Sequence, residues 1–167
     1  FTRYAMLERG EADIVSGLTG PLLEKIQTNT TIRLFSSKYA STAGIYFNPA
    51  KFPEAKDKRV RMAVGYAINL EQITKKILNG TCEPASSILT PATFGYEPKY
   101  KVIPYDPAKA KALLKEAGVA PGREIDFVLS TESLAPVPSS PQVLEAIAGN
   151  LEAVGFMRRM NELAYGE

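Results

Sequence analysis

The chain contains no histidine and a single cysteine, Cys82, and these two facts bound the chemistry open to its 167 residues. Without imidazole the commonest general base and metal ligand is missing, and every Ser-His or Cys-His nucleophile goes with it. One thiol makes no disulfide within the chain and no thiolate metal site. Cys82 has no imidazole to activate it and an acidic neighbour in Glu83, so it reads as inert and part-buried. Glu8 and Glu11 flank Gly10 at a helix end, where surface carboxylates are common and no acid–base partner is implied. Asp13 and Asp126 lie in or beside expected strands without the oxygen-ligand spacing of a calcium loop. Gly17 and Gly20 follow a candidate strand, but no Gly-Lys-Ser/Thr comes after them, which leaves a simple turn before a helix over 21–27. Arg158 and Arg159 sit in the last expected strand, where alternation sends one of them to solvent; an anion site is the lesser reading. Asn29-Thr30-Thr31 and Asn79-Gly80-Thr81 both satisfy the glycosylation tripeptide, although Asn79 already has a helix-ending role.

The elements that must position any site follow from composition and period. A hydrophobic fraction of 45% and a charged fraction of 23% match an ordinary globular chain, long enough for one domain with its own core. Net charge is +2, from 20 basic and 18 acidic residues mixed along the chain, so no nucleic-acid partner is expected. The Lys-rich stretches 51–61 and 109–115 are interrupted by Glu54, Asp57, Ala112 and Leu113 and read as solvated helix faces. No apolar run is long enough to span a bilayer, and no leader pattern is present. The chain begins at Phe1 within what reads as a helix over 2–9, which leads us to expect a removed upstream segment.

Four helices carry both periodicity and end signals. Asp57 caps the first, with Val60, Ala63, Val64, Ala67 and Ile68 on one stripe. Asn69 and Gln72 form an expected reciprocal capping box for the second, whose apolar face is Leu70, Ile73 and Ile77 and whose stop is Asn79-Gly80. The third starts at Asp106-Pro107, buries Ala110, Leu113, Leu114 and Ala117, and ends at Gly118. The fourth starts at Ser140-Pro141 with a stripe of Leu144, Ile147, Ala148, Leu151 and Val154, closed by Gly155. Alternation predicts strands over 42–48 and 124–130, and more weakly over 13–16, 32–35 and 156–162. The last of these should close a βαβ unit with 124–130. The expected class is α/β with a mixed β-sheet flanked by helices. Two irregular stretches, 82–105 and 131–140, are the loops most suited to carry function.

The order of these segments resembles the family 5 extracellular solute-binding proteins. Leu7-Glu8-Arg9-Gly10-Glu11-Ala12-Asp13-Ile14 is similar to that family's Gly-Glu-x-Asp step. It is followed in order by Tyr46-Phe47-Asn48, by Asp57-Lys58-Arg59-Val60-Arg61-Met62-Ala63 through Tyr66-Ala67-Ile68-Asn69, and by Asn79-Gly80 with Pro84-Ala85. Thr90-Pro91, Gly95-Tyr96, Tyr105-Asp106-Pro107 and Leu113-Leu114-Lys115-Glu116-Ala117-Gly118 continue the match. Asn69-Leu70 stands where the family usually has Asp-Arg, and the loop 131–140 lacks the Arg that peptide-binding members present to a ligand carboxylate.

The resemblance implies one lobe of a periplasmic-binding-protein-like fold of type II, peptide-binding class, with 1–167 as a single, partial second lobe. It implies a binding protein and not an enzyme: the substrate-binding component of an ABC importer, extracytoplasmic, taking a peptide or peptide-like solute without a cofactor. Its partners would be that ligand, the importer's membrane subunits and a first lobe lying outside this sequence. Ligand-facing candidates are Tyr46, Asn48, Thr90, Phe94, Thr131 and Ser133. Each has a structural alternative: core packing for the aromatics, a turn start for Asn48 before Pro49, and local backbone caps for the hydroxyls. The alternatives in function are a protein-interaction or chaperone-like module and, behind it, a hydrolase working without histidine.

Overall fold

Asp57 opens the best-specified part of the chain: its Oδ1 accepts the Arg59 amide at 2.8 Å and starts α3, Lys58–Ala67. The computed structural model describes residues 2–18, 21–37, 40–130 and 140–163. The chain divides into two compact units, Phe1–Tyr39 and Ala40–Glu167.

In the first unit, α1 (Thr2–Glu8) and α2 (Pro21–Gln27) bury Tyr4, Leu22 and Ile26, with Leu18 and Ile32 packed against them. Polar ties hold this small core. Arg3 Nη1 donates to the Ser16 carbonyl at 3.0 Å, and Lys25 pairs with Glu8 at 3.1 Å while lying 4.6 Å from the Tyr4 ring centroid. The expected strands over 13–16 and 32–35 are not strands. Ile14 is 90% exposed and Phe35 is also open to solvent, and no neighbouring strand pairs with either segment among the described residues. Alternation marks a segment able to pair, but a ladder needs a second backbone.

In the second unit α3 buries Val60, Ala63, Val64 and Ala67, followed by Ile68, which is the expected stripe. It packs along α5 (Pro107–Glu116), whose N-cap Asp106 accepts the Lys109 amide at 2.9 Å and whose Ala110 and Leu114 are buried. Two bonds fasten this pair at its ends: Arg59 Nη1 to the Glu116 carbonyl at 2.9 Å, and the Asp106 amide to the Tyr66 carbonyl at 2.8 Å. Gly65 of α3 allows close approach of the segment that leads into α5. A Cβ there would lie 2.7 Å from Ile103 Cδ1, so the missing side chain is the notch that receives Ile103.

The second expected helix departs from a plain α-helix. α4 covers only Leu70–Gln72 and passes directly into a π turn, Ile73–Ile77. The Thr74 hydroxyl donates to the carbonyls of Leu70 (2.9 Å) and Glu71 (3.2 Å), competing with the backbone donors that an α-helix would place there. The widened turn closes through the Leu78 amide to the Ile73 carbonyl at 3.0 Å and buries Ile73, Thr74 and Leu78. Asn69 does cap α4, accepting the Gln72 amide at 2.9 Å, but the box is not reciprocal: the Asn69 amide goes to Asn150 Oδ1 at 2.8 Å.

β1 (Arg123–Ser130), α6 (Ser140–Glu152) and β2 (Phe156–Leu163) form the expected βαβ unit, with parallel strands in register from Arg123 opposite Phe156 to Ser130 opposite Leu163. Ile147, Ala148, Leu151 and Val154 are buried. Phe156 meets Phe52 edge-on at 6.1 Å, and Phe47 stacks obliquely on Phe52 at 6.3 Å. The α/β class is realised, and the sheet among the described residues is this parallel pair. The row 42–48 is a correction: it is not a strand, because no described neighbour bonds to it, and only Phe47 packs on the core while Ile45 and Tyr46 stay exposed.

Candidate functional site

Phe52 is the pivot of the region that carries Tyr46 and Asn48. Asn48 turns the chain in front of it: its carbonyl accepts the amides of Lys51 (3.1 Å) and Phe52 (2.8 Å), and its Oδ1 accepts the Ala50 amide at 3.0 Å. The turn-forming alternative for Asn48 is therefore what its acceptor does. Its side-chain NH₂ has no partner among the described residues. Tyr46, two residues earlier, is 77% exposed, so it is not a core aromatic.

This turn is clamped from the sheet. Arg123 Nε donates to Glu54 Oε1 at 2.7 Å, and its guanidinium carbon lies 5.3 Å from the Phe52 ring centroid. The Arg123 side chain holds the Glu54 carboxyl below the usual glutamate range and is itself raised by that contact. Sequence reading missed this clamp. A basic residue at a strand start and an acidic one in a turn, 69 positions apart, carry no joint signal.

The loop 82–105 leaves the core at Cys82, which is half-buried against it, and returns at Ile103. Between them the Thr90 and Thr93 hydroxyls meet at 2.9 Å, the Thr93 amide donates to the Thr90 carbonyl at 2.9 Å, and the Tyr96 amide donates to the Thr93 carbonyl at 3.1 Å. Of the two touching hydroxyls only one hydrogen is consumed, so the pair retains an O–H able to donate outward. Phe94 sits on this tight corner as open to solvent as an isolated residue (102%). Ile88, Tyr100 and Tyr105 on the same loop are also exposed, an apolar surface that the sequence places in the loop without showing that it faces out.

No hydrogen bond or ring contact joins Tyr46 or Asn48 to Thr90 or Phe94 among the described residues. Thr131 and Ser133 lie outside the described residues. The other residues considered for chemistry are engaged structurally. Glu11 pairs with Arg9 at 2.6 Å, Arg158 pairs with Glu145 and with Glu152 (3.0 Å), and Arg159 lies 3.6 Å from Glu124 and 3.9 Å from Asp126. With both arginines facing carboxylates, the anion reading of Arg158-Arg159 has no uncompensated charge behind it.

The fold, a capped α/β scaffold with open, aromatic loops at its surface, is that of a lobe of the type II periplasmic binding proteins. The chain belongs to the bacterial extracellular solute-binding proteins, family 5, whose middle-region model matches residues 2–165. It is 32% identical over 164 residues to heme-binding protein A of Haemophilus influenzae, covering 98% of this chain and 29% of that protein. It is 28% identical over 165 residues to the dipeptide-binding protein of Escherichia coli, covering 99% and 31% respectively. Among solved structures it is similar to the ABC transporter-associated periplasmic binding protein DppA of Helicobacter pylori in complex with the peptide STSA. That likeness has a TM-score of 0.80 and 25% identity and covers 99% of this chain and 31% of the other. The chain thus spans about a third of the length of the relatives it matches.

Proposed function

We propose that this chain is part of the substrate-binding component of an ABC importer, which captures an extracytoplasmic peptide or peptide-like solute and delivers it to membrane subunits. The observation that carries the reading is the family match over residues 2–165, in a chain without histidine whose loop aromatics Tyr46 and Phe94 are exposed. Its work is binding and not bond making. Residues 1–167 form a partial single lobe in this reading, and a second lobe from the same protein completes the cleft.

Tyr46 and Phe94 supply apolar walls, while the Asn48 amide and the Thr90–Thr93 hydroxyl pair supply aimed donors, joined by Thr131 and Ser133. This mix of aromatic surface with a few polar groups suits an amide-rich solute. Ligand contacts to both lobes would then stabilise a closed form.

The test uses the full-length protein in a thermal-shift screen against di- to tetrapeptides, glutathione, heme, sugars and metal chelates. A ligand at 100 times its Kd stabilises the folded form by about 2.7 kcal/mol, a shift that is easily read. Peptides or glutathione raising Tm supports the reading. A flat response to every class refutes it, and a shift with sugars or chelates alone refutes the peptide assignment.

A further inference from the structure

Asn79-Gly80 ends the π turn after α4, and neither residue has a part in the proposed binding. Both take left-handed backbone, with φ 48° and 70°. The Gly80 amide donates to the Thr74 carbonyl at 2.9 Å, and Thr81 closes the next link with its amide (2.9 Å) and its hydroxyl (2.6 Å), both on the Leu78 carbonyl. We propose that Asn79 is a self-modification site, a succinimide-forming asparagine kept latent by closure of this turn.

The reaction needs only solvent. The Gly80 backbone nitrogen, its proton taken by solvent base, attacks the Asn79 side-chain carbonyl carbon. The bond from that carbon to Nδ2 breaks, ammonia leaves, and a cyclic succinimide remains. Water then opens one or the other ring carbonyl, giving aspartate or isoaspartate, with no change of oxidation state.

Two observations favour this asparagine. Gly80 brings no side chain to hinder attack by its own nitrogen, and the space where its Cβ would stand is open, with no heavy atom within 4 Å beyond its chain neighbours. The Asn79 side chain has no partner among the described residues. Asn29 differs on both counts: its Oδ1 accepts from Thr31 N (2.8 Å), Thr31 Oγ1 (2.8 Å) and Ile32 N (3.2 Å), and a branched Thr30 follows it.

The gate is the hydrogen bond to Thr74. While the Gly80 amide is held there and both residues stay left-handed, the nitrogen is not free to close the ring. Reaction therefore waits on local opening. Its products disturb the turn: a new negative charge stands at a helix C-terminal end, where the carbonyl dipoles are already negative. Isoaspartate also inserts a carbon into the main chain just before the loop 82–105.

The test incubates the full-length protein at mildly alkaline pH, native and in urea, and measures aspartate and isoaspartate at position 79 by peptide mass spectrometry with isoaspartyl methyltransferase labelling. Thr81→Ala removes the hydroxyl link without touching the core, and its own urea arm controls for intrinsic chemistry. The expected result is conversion at Asn79 that is roughly tenfold or more slower in the native protein than in urea, a ratio equivalent to about 1.4 kcal/mol of closure. The native Thr81→Ala protein should convert several-fold faster than wild type. Equal native and urea rates overturn the gate, as does a native Thr81→Ala rate identical to wild type. An unfolded chain that keeps Asn79 intact overturns the site itself.

Discussion

Phe94→Ala separates a binding role from a structural one. Phe94 is fully solvated, so truncating it removes no packing, and the unliganded protein should unfold within about 0.5 kcal/mol of wild type. If the ring forms a wall of the liganded cleft, covering half of its roughly 200 Å² at about 25 cal/mol per Å² contributes near 2.5 kcal/mol. Ordering the side chain returns about 0.5–1.5 kcal/mol of that. The remainder, about 1–2 kcal/mol, corresponds to a roughly 5- to 30-fold weaker Kd. The assay is isothermal titration of wild type and Phe94→Ala with the solute that gives the largest thermal shift, alongside Tm without ligand. An unchanged Kd refutes the wall, and a Tm drop of several degrees without ligand refutes the premise that the ring is idle in the unliganded protein.

Three further outcomes follow from contacts within the scaffold. Asn150→Leu keeps volume but strands the part-buried Asn69 amide, and should cost about 1–2 kcal/mol with faster hydrogen exchange in the peptide containing Asn69. Asn150→Asp, which retains an acceptor, should protect that amide, and equal exchange in the two variants would sink the account. Asp106→Ala removes the α5 cap and should lower stability by about 1 kcal/mol, whereas Asp106→Asn, an equally good cap, should lose little by urea denaturation. Glu54→Gln should cost under about 1 kcal/mol at neutral pH, because both partners of the Arg123 pair are about one-third exposed and screened. Because the folded Glu54 carboxyl titrates below its ordinary value of 4.5, its contribution is present above that pH and disappears as pH falls through the depressed value. Stability curves of wild type and Glu54→Gln should therefore converge in acid; a gap that persists there would show that the charge was not the cause.

What could be read from the chain alone divides along a physical line. The caps at Asp57, Asn69 and Asp106 and the stripe from Val60 to Ile68 were legible because helix signals are local, the donor and acceptor lying two or three residues apart. The parallel pair 123–130 and 156–163 was legible because a short helix between two alternating rows leaves few other topologies. The rows 13–16, 32–35 and 42–48 show the limit: alternation reports that a segment can pair and says nothing of whether its neighbour is at hand. The Asn69 amide was assigned to Gln72 because the box is a local motif, while the actual acceptor is 81 residues away. The one available hint was Asn150 itself, a polar residue between Ile147 and Leu151 on a helix whose inner face is otherwise apolar. The π turn escaped notice because Thr74 looks like any helical residue until its hydroxyl is seen on two carbonyls. For the site, Asn48 and Thr90 are ligand-facing candidates with a turn start and a local cap as their alternatives, and each of them does bond locally.

The notch at Gly65 bears on how the loop 82–105 can vary without disturbing the scaffold. Ile103 seated in that notch and Cys82 against the core are the two fixed ends of a long surface loop that carries the fully solvated Phe94. A segment held at both ends and free in the middle behaves as an exchangeable cassette: residues between the anchors can be replaced, lengthened or shortened at the modest entropic cost of loop closure. Sequence change can then accumulate in that stretch while α3 and α5 stay as they are. By the same logic a side chain at Gly65, which contacts no ligand in any reading of the site, would press on Ile103 Cδ1 at 2.7 Å and oblige that anchor to shift.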